Sequence, residues 1–347
     1  MEAQKHPANK YFWLRVKIFL KLILKGKLSF RKLFNASSCF IRYYLGLQRS
    51  ANFPLAVNMD LSNKCNANCR FCRTADGKIY DQNPNSKVKF VNSGSLPIEI
   101  AEDIIFQIKD WSLIAVLYIN GEPLIYKDLA RLIEYATSGN LATMIATNGQ
   151  LLTKETSKSL IESGLDFVKV AISGFSQETY SKQVRFGSVE KVKENFSEFV
   201  KLNKSLGNKT LLMLDFIIYD YNKHELDDVR NFCNSLGIML SIRRGNIKGL
   251  ESEPTFTHIP SEVQSVPCDF LWKMMTINFD GSLYPCCDYV VWSDVEKIDT
   301  WDEEFSVIED IWNGPKYQQL RTAHLTKGRS VIPICSGCSR TGTAFKY

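Results

Sequence analysis

Short apolar runs alternate with amphipathic helical patterns through most of this chain, and this alternation restricts the fold more than any other feature. Strand-like runs lie at 56–61, 114–119, 142–146, 167–172, 211–218 and 238–243. Helical patterns fill the gaps at 97–109, 127–138, 153–163, 188–205 and 224–236. Strands that alternate with helices predict parallel βαβ units. Six such strands predict an α/β fold, an open, partial (β/α)6 TIM-like barrel, with its site at the carboxyl ends of the strands.

A cysteine-rich loop directly follows the first predicted strand. It reads Cys65-Asn-Ala-Asn-Cys69-Arg-Phe-Cys72, so three thiols lie within eight residues. This spacing lets one loop curl around one metal cluster, and thiolates select zinc or iron–sulfur clusters over hard metals. Three cysteines leave a four-iron cluster one protein ligand short, so one iron is open to a small molecule. A zinc knuckle, or a cluster with some other fourth ligand, is the alternative.

The three cysteines, with Phe71 just before the last, resemble the signature of radical S-adenosylmethionine (SAM) enzymes. The resemblance implies that Cys65, Cys69 and Cys72 hold a [4Fe-4S] cluster whose open iron binds the amino and carboxylate groups of SAM. In that family an electron from the cluster cleaves SAM, and the resulting 5'-deoxyadenosyl radical removes a hydrogen atom from a substrate. It also implies an electron donor that is similar to flavodoxin or ferredoxin.

Turns after the next three strands are similar to SAM contacts of the same family. Asn120-Gly-Glu-Pro resembles the Gly-Glu-Pro motif that contacts the SAM amino group, although many members have Gly in place of Asn120. The serine after the fourth strand and a downstream arginine resemble the residues that hold the SAM ribose and carboxylate. An Asp that many relatives carry near this serine is missing, and a surface ion pair is the alternative for the arginine. The resemblance implies these cofactor-binding residues: Phe71, Gly121, Glu122, Pro123, Asn148, Ser173 and Arg185.

The last third of the chain carries a second group of cysteines. Asp280-Gly281 lies between apolar runs and predicts a β-hairpin that brings Cys268 and Cys286 together. The pattern resembles the opening of the SPASM/twitch extension, which implies one auxiliary [4Fe-4S] cluster; a structural zinc site on the same thiolates is the alternative. The implied ligands are Cys268, Cys286, Cys335 and Cys338.

Cys287 adjoins this group and has two possible roles. It could replace Cys286 as a ligand, or it could lie near the substrate, where a thiol can donate a hydrogen atom. The second role makes Cys287 a candidate catalytic residue and would suit an epimerase. Cys39 and Cys233 lie in apolar or amphipathic surroundings and are predicted to be buried in the core.

The positive charge of the chain is concentrated at its start. Residues 1–50 hold eleven Lys or Arg and one acid, whereas the remainder has 32 basic and 36 acidic residues. A nucleic-acid-binding body is therefore not expected. Residues 11–25 predict a basic amphipathic helix whose charges interrupt the apolar run too often for a membrane span. Peripheral contact of residues 11–45 with a membrane, packing on the catalytic domain and contact with a partner all remain open.

These patterns divide the chain into four parts. The parts are a basic amphipathic helical arm at 1–54, a radical SAM partial barrel at 55–247, a linker at 248–267 and a SPASM/twitch-type auxiliary cluster domain at 268–347. Residues 73–96 predict a long loop beside the site, which is typical of a lid. The chain shows no secretory signal, and clustered cysteines in a chain of this size favour metal ligands in a reducing compartment, the cytoplasm.

The C-terminal pattern resembles family members that modify sugars or other small metabolites. The resemblance implies an oxidoreductase-type enzyme that abstracts hydrogen from a small-molecule, sugar or glycoconjugate-like substrate, with dehydrogenation or epimerisation as the result. Arg243 and Arg244 close the sixth strand and could hold a phosphate or carboxylate of that substrate, or could be solvated charges. The alternatives are radical modification of a ribosomally made peptide and a non-catalytic iron–sulfur or zinc protein.

Overall fold

The computed structural model describes residues 19–70, 94–245, 266–287, 297–336 and 338. Phe71 and Cys72 lie outside the described residues, as do most of the predicted lid and most of the predicted linker. Arg244 is described only as the last residue of a strand.

Nine strands form one sheet in the described part of the chain. Their order is β6-β5-β4-β3-β2-β1-β7-β8-β9. Neighbours from β1 to β6 all pair in parallel, so the predicted fold class, an α/β partial barrel of six parallel strands, is confirmed. The strands are β1 (Ala56–Met59), β2 (Ile114–Val116), β3 (Ala142–Thr147), β4 (Phe167–Ile172), β5 (Leu211–Ile218), β6 (Met239–Arg244), β7 (Met274–Ile277), β8 (Ser282–Tyr284) and β9 (Asp299–Thr300).

The predicted helices between the strands are all present. Side-chain caps fix where several of them begin: the Thr153 hydroxyl accepts from Thr156 N, and the Ser188 hydroxyl accepts from Lys191 N. The described helices are α1 (Phe30–Tyr44), α2 (Ile98–Ile108), α3 (Leu129–Ser138), α4 (Lys154–Glu162), α5 (Gln177–Ser181), α6 (Val189–Ser205), α7 (Leu226–Leu236), α8 (Phe270–Lys273), α9 (Ile308–Trp312), α10 (Pro315–Thr326) and α11 (Pro333–Ser336).

The two faces of the parallel sheet differ in composition. Along β4, Val168, Val170 and Ile172 are buried in the main core, which the helices cover. The alternate residues Lys169 and Ala171 are only half-buried and lie on the other face. The inner face of the partial barrel therefore carries polar and charged side chains in addition to small apolar ones.

The C-terminal hairpin continues the barrel sheet. β7 pairs in parallel with β1, and β8 returns antiparallel to β7. Gly281 has a φ of +78° in the turn, a conformation that glycine adopts without strain. The hairpin predicted from Asp280-Gly281 is confirmed. The sequence analysis did not predict that its first strand, β7, pairs in parallel with β1.

The basic arm packs across the amino ends of the strands. Lys25 and Lys27 each form a 2.6 Å ion pair with Asp166, which precedes β4. Lys27 also donates to Leu141 O at 3.0 Å, and Lys32 donates to Asn140 O at 2.6 Å, both just before β3. Of the open alternatives for the arm, packing on the catalytic domain is the one that these contacts show.

Burial changes the acid–base properties of these lysines. Desolvation, with a further contribution from neighbouring lysines, lowers the pKa of Lys21 and of Lys32 to about 8. It also lowers the pKa of Lys27, against the attraction of Asp166. Lys21, Lys27 and Lys32 thus interact with the barrel more than with the surrounding solution.

Candidate active site

The Cys loop leaves β1 and is held by the backbone of the segment that follows α5. Arg70 N donates to Gln183 O at 2.8 Å, and Phe186 N donates to Ala67 O at 3.0 Å. Cys69 and Val184 form an antiparallel bridge between these two segments. Cys65 and Cys69 are both half-buried at the carboxyl edge of the sheet, where the sequence predicted them. Arg185 lies exposed in the segment that anchors them.

The Gly121 turn packs directly against the backbone of the Cys loop. Glu122 N donates to Lys64 O at 2.8 Å. A Cβ atom at Gly121 would lie 1.8 Å from Ser62 O, so no larger residue fits there. Glycine is therefore required here by the close approach of two backbone segments.

The Glu122 carboxylate links this turn to the one after β3. It is buried and accepts from Thr147 Oγ1 at 2.7 Å, from Asn148 N at 2.8 Å and from Leu124 N at 3.1 Å. Burial raises its pKa to about 7, even though these hydrogen bonds favour the charged form. Both carboxylate oxygens are therefore engaged within the protein, and the side chain fixes the relative position of two turns.

Asn148 is the residue of the third turn that touches the cysteine loop. Its Nδ2 donates to Asn66 Oδ1 at 2.8 Å and lies 3.8 Å from Cys65 Sγ, within range of a weak N–H···S hydrogen bond. Its Oδ1 accepts from Gln150 N at 3.0 Å, which fixes the orientation of the amide. Hydrogen bonds to cluster sulfurs tune reduction potential, so this contact can act on a cluster held by Cys65.

Asn120 explains the departure from the Gly-Gly-Glu-Pro pattern. Its Nδ2 donates to Asp60 Oδ2 at 2.8 Å, and its backbone N donates to Asp60 Oδ1 at 3.1 Å. Asp60 is buried at the end of β1, and burial raises its pKa to about 6. The asparagine amide supplies a partner for this carboxylate that glycine lacks, and Asp60 was not singled out from the sequence.

Ser173 lies buried at the end of β4 with a hydroxyl that has no hydrogen-bond partner among the described residues. Its carbonyl oxygen accepts from Asn222 Nδ2 at 2.7 Å. An orphaned buried hydroxyl is costly unless something else engages it, so it points to a ligand. Asn222 had no sequence signal, because its role depends on a contact between the turns after β4 and β5.

A second buried carboxylate shapes the turn after β4. Glu225 accepts from Phe175 N at 2.7 Å and from Ser176 N at 2.9 Å, and the Thr179 hydroxyl donates to it at 2.8 Å. Burial acts to raise its pKa, but these hydrogen bonds outweigh burial and the net effect lowers it. The pKa of Glu122 is therefore raised and that of Glu225 is lowered, although both carboxylates hold turns at the same edge of the sheet.

The C-terminal cysteines lie beside the hairpin and the end of the chain. Cys268 N donates to His324 Nδ1 at 3.1 Å, and Cys338 N donates to Cys335 O at 3.1 Å. Burial raises the pKa of Cys268 to about 12, and the nearby Cys338 contributes in the same direction. Cys286 and Cys287 are half-buried after β8. Within the described ranges no three His, Cys, Asp or Glu side chains converge as a metal site, so the four-cysteine set stays a prediction.

Comparison with known proteins places this arrangement in a family. The sequence profile of the Radical SAM superfamily matches residues 59–233, just over half of the chain. The chain belongs to the radical SAM superfamily. The profile of the SPASM iron–sulfur cluster-binding domain matches residues 268–339, which confirms the predicted extension.

Individual relatives of this radical SAM protein are distant. It is 24% identical over 187 residues to a probable GTP 3',8-cyclase of Methanocaldococcus jannaschii, a match that covers 54% of this chain and 57% of that protein. The matched part thus spans little more than half of the relative.

Two solved structures are similar in fold. SuiB of Streptococcus suis, bound to S-adenosylmethionine, is 15% identical with a TM-score of 0.62, over 83% of this chain and 72% of that one. BtrN, in complex with AdoMet and 2-DOIA, is 18% identical with a TM-score of 0.52, over 84% of this chain and 97% of that one. At these identities the likeness concerns the fold.

The cofactors of this radical SAM protein are SAM and [4Fe-4S] clusters, as its two domains imply. The described carboxyl edge fits them in three ways. Cys65 and Cys69 supply soft thiolate donors. Gly121 keeps the neighbouring turn against the Cys loop, and Ser173 presents an orphaned hydroxyl.

The inner face of the barrel carries a charged group below this edge. Arg243 Nε donates to Asp215 Oδ2 at 2.6 Å, and Lys169 Nζ lies 3.7 Å from the same oxygen. Lys169 Nζ also lies 5.4 Å from the centre of the Tyr118 ring. Burial acts to raise the pKa of Asp215, but Lys169 and Arg243 outweigh it and lower that pKa. The group therefore holds two cations and one anion at neutral pH.

Proposed function

We propose that this radical SAM enzyme abstracts a hydrogen atom from a small, anionic, sugar-like molecule bound inside the barrel. Cys65, Cys69 and Cys72 would hold the catalytic [4Fe-4S] cluster. When bound, the cluster and SAM supply the radical chemistry. The protein residues bind, orient and shield the reactants.

The proposed SAM contacts follow the turns of the carboxyl edge. Phe71 and the Gly121–Pro123 turn would lie against the cofactor, with backbone groups of the turn facing its amino group because the Glu122 carboxylate is engaged elsewhere. The Ser173 hydroxyl would bind the ribose, and the exposed Arg185 would bind the carboxylate. Asn148 would keep Cys65 in place through its contact with the sulfur.

The Lys169–Asp215–Arg243 group is the observation that supports the substrate class. Its excess positive charge sits on the inner face of β4, β5 and β6, where a bound molecule would lie under the Cys loop. A phosphate or carboxylate can bind Arg243 and Lys169 while Asp215 keeps the arginine oriented. Relatives that are named for GTP, itself a small phosphorylated molecule, favour the same class.

The reaction assay tests this proposal. Anaerobically reconstituted protein should hold about eight irons, from two four-iron clusters. Reduced protein with SAM should release 5'-deoxyadenosine, and a phosphorylated or carboxylated sugar should raise that release far more than the matching neutral sugar. A deuterated substrate should pass deuterium into 5'-deoxyadenosine. No 5'-deoxyadenosine from protein with its clusters intact would instead support a non-catalytic binding protein.

A matched pair of lysine variants locates the charge requirement. Lys169→Met should raise KM for the anionic substrate by about tenfold, the loss of one charge-assisted contact of about 1.4 kcal/mol. Lys158→Met, on the exposed face of α4, should change nothing. Equal effects of both variants, or equal KM shifts for anionic and neutral sugars, would remove the inner-face group from substrate binding.

Cys287 decides the outcome of the proposed reaction. If its thiol donates a hydrogen atom to the substrate radical from the other side, the product is an epimer, and the thiyl radical left on Cys287 would return to a thiol by taking one electron from the protein donor and one proton from water. Without that thiol, the substrate radical would lose an electron to the proposed auxiliary cluster and a proton to water, which gives a dehydrogenated product. In D2O the wild type should incorporate one deuterium into an epimerised product, and Cys287→Ser should stop this while 5'-deoxyadenosine still forms. A product without solvent deuterium in both proteins would support dehydrogenation.

Peptide modification is the second candidate. SuiB has also been solved bound to the precursor peptide SuiA, at 17% identity to this chain and a TM-score of 0.60. A peptide that stimulates 5'-deoxyadenosine release where anionic sugars do not would favour this function.

The main proposal also places the enzyme in the cytoplasm, with a flavodoxin- or ferredoxin-like protein as its electron donor. It leaves the arm available for a peripheral contact.

A further inference from the structure

Helix α1 buries polar side chains and exposes apolar ones, which is the opposite of the usual amphipathic helix. Its buried residues are Lys32, Asn35 and Cys39. Asn35 Nδ2 donates to Phe53 O at 3.0 Å and to Trp111 O at 3.3 Å, and Cys39 Sγ lies 3.6 Å from Phe53 O. Two polar side chains thus face the barrel, and their hydrogen bonds, together with the apolar packing of Ala36, Cys39 and Phe40, hold the helix in place.

The opposite face of α1 is apolar and exposed. Its aromatic and aliphatic side chains recur at helical spacing along one stripe. Of the 17 large hydrophobic side chains exposed in the described part of the chain, 11 lie between residues 19 and 47. So much apolar surface in one region marks an interaction site. The outer stripe, as we call it, consists of Phe30 (83% exposed), Phe34 (63%), Ile41 (56%) and Tyr44 (76%).

Neighbouring side chains widen the outer stripe. Leu24, before α1, and Leu45, after it, are also exposed. Arg31 and Arg49 are exposed beside them, and Arg42 is half-buried. Residues 19–59 contain no Asp or Glu. The surface around the stripe is therefore apolar and cationic, without an acid to neutralise it.

We propose that the outer stripe docks this enzyme onto an anionic lipid bilayer, with α1 lying in the plane of the interface. A convex row of aromatic and aliphatic side chains flanked by arginines matches the headgroup–acyl boundary of such a bilayer. Each Lys or Arg near an anionic surface adds about 1 kcal/mol to the attraction. Across the described residues no helix is long and apolar enough to cross a membrane, so the contact is peripheral.

The contacts of the arm fix the orientation of the docked enzyme. Lys27 meets Asp166 just before β4, and Asn35 meets Phe53 just before β1. The Tyr43 hydroxyl donates to Pro267 O at 3.0 Å, before the short helix α8 that leads into β7. The Cys loop lies at the other ends of the strands. A six-residue strand spans about 20 Å. The sheet therefore stands between the bilayer and the site, which places the site on the side of the solution, where a water-soluble substrate and a protein donor are found.

Vesicle binding of the full-length reconstituted protein tests the proposal. The protein should sediment with vesicles of phosphatidylglycerol and phosphatidylcholine, and at least tenfold less with phosphatidylcholine alone. The double variant Phe34→Asp, Ile41→Asp should lose at least tenfold in binding to the anionic vesicles. Phe106→Asp, at a helix position that is 57% exposed on α2, is the matched control and should bind like the wild type. Thermal melts should show that all variants fold.

Two results would overturn the proposal. One is an intact chain that does not bind the anionic vesicles, or a double variant that binds as well as wild type. The other is a dimer, detected by sedimentation velocity in the absence of lipid, that the double variant abolishes; the stripe would then face a second copy. Hydrogen exchange on vesicles should protect residues 30–45 and leave 62–70 unchanged, whereas protection of 62–70 would contradict the orientation.

Discussion

At the carboxyl ends of the strands backbone segments pack against backbone segments, whereas at the amino ends long lysine side chains reach in from the arm. The Gly121 turn touches the Cys loop with no side chain between them. Lys25 and Lys27 instead converge on Asp166 through four-carbon stems. Backbone contacts fix positions closely, and flexible ion pairs cover a surface without fixing it so tightly. The candidate active site lies at the carboxyl ends of the strands, where backbone contacts fix the positions of its residues.

Substitution at Gly121 should break the carboxyl end and have the largest effect. Gly121→Ala should destabilise the fold by about 3 kcal/mol or more, because its Cβ would lie 1.8 Å from Ser62 O and the Cys loop would have to move. A displacement of about 1 Å can cost 100-fold in rate, so 5'-deoxyadenosine release per folded protein should fall by that order. Denaturant unfolding and the SAM cleavage assay measure the two effects.

Gly207→Ala is the control for this substitution. Gly207 has a φ of +88° and nothing within 4 Å of an added Cβ. Its cost should be about 1 kcal/mol, from backbone strain alone, with SAM cleavage unchanged. If Gly121→Ala costs no more than Gly207→Ala, the two backbones are not in the contact described.

Local patterns predicted β1 to β6, the intervening helices and the C-terminal hairpin, because each depends on residues near in sequence, and the family resemblance singled out the turns after β1 to β4. These patterns did not predict which turns contact each other. Asn222 holds the Ser173 carbonyl from another strand end, and Asp60 pairs with Asn120 across two strands. Such contacts join residues 49 and 60 positions apart, so no periodicity in the sequence reports them.

The arm shows the same limit in a sharper form. Amphipathic spacing predicted a helix at 11–25 of the arm, and the usual inference from such spacing is that the apolar face is the buried one. In α1 the reverse holds, because Lys32 and Asn35 find carbonyl partners at the amino ends of the strands. The period of a helix can be read from the sequence, whereas the face that packs depends on what lies opposite.

Loss of a lysine at the amino ends of the strands should lower the stability of the fold without changing SAM cleavage. Lys27→Met removes the more deeply buried partner of Asp166 and should cost about 2 kcal/mol, less than a lone buried charge because Lys25 remains. SAM cleavage per folded protein should match the wild type. Lys25→Met, at a position whose side chain is 24% exposed, should cost less than about 1 kcal/mol. A fall in SAM cleavage in either variant would show that the two ends are coupled.

The smallest effect concerns the proton of Glu122. Burial raises its pKa in the folded protein to about 7, against about 4.5 unfolded, so its protonated form is favoured by folding. The stability from this group is complete below pH 4.5 and is lost as the pH rises through 7. Glu122→Gln has no such proton, so wild-type stability minus variant stability should fall by about 1 kcal/mol between pH 6 and pH 8.

Glu225→Gln gives the matched comparison at the same edge. Hydrogen bonds lower the pKa of Glu225 overall, so its stabilising effect is present above the unfolded pKa and is lost only as the pH falls through the folded one. Between pH 6 and pH 8 this carboxyl is ionised in both states, and the difference between wild type and Glu225→Gln should stay constant. A slope for Glu225→Gln equal to that for Glu122→Gln would mean that the two carboxylates share one environment. If the stability difference varies with pH only for Glu122→Gln, then Glu122 is the carboxyl whose burial is offset least by its hydrogen bonds. Glu122 belongs to the turn that packs against the Cys loop.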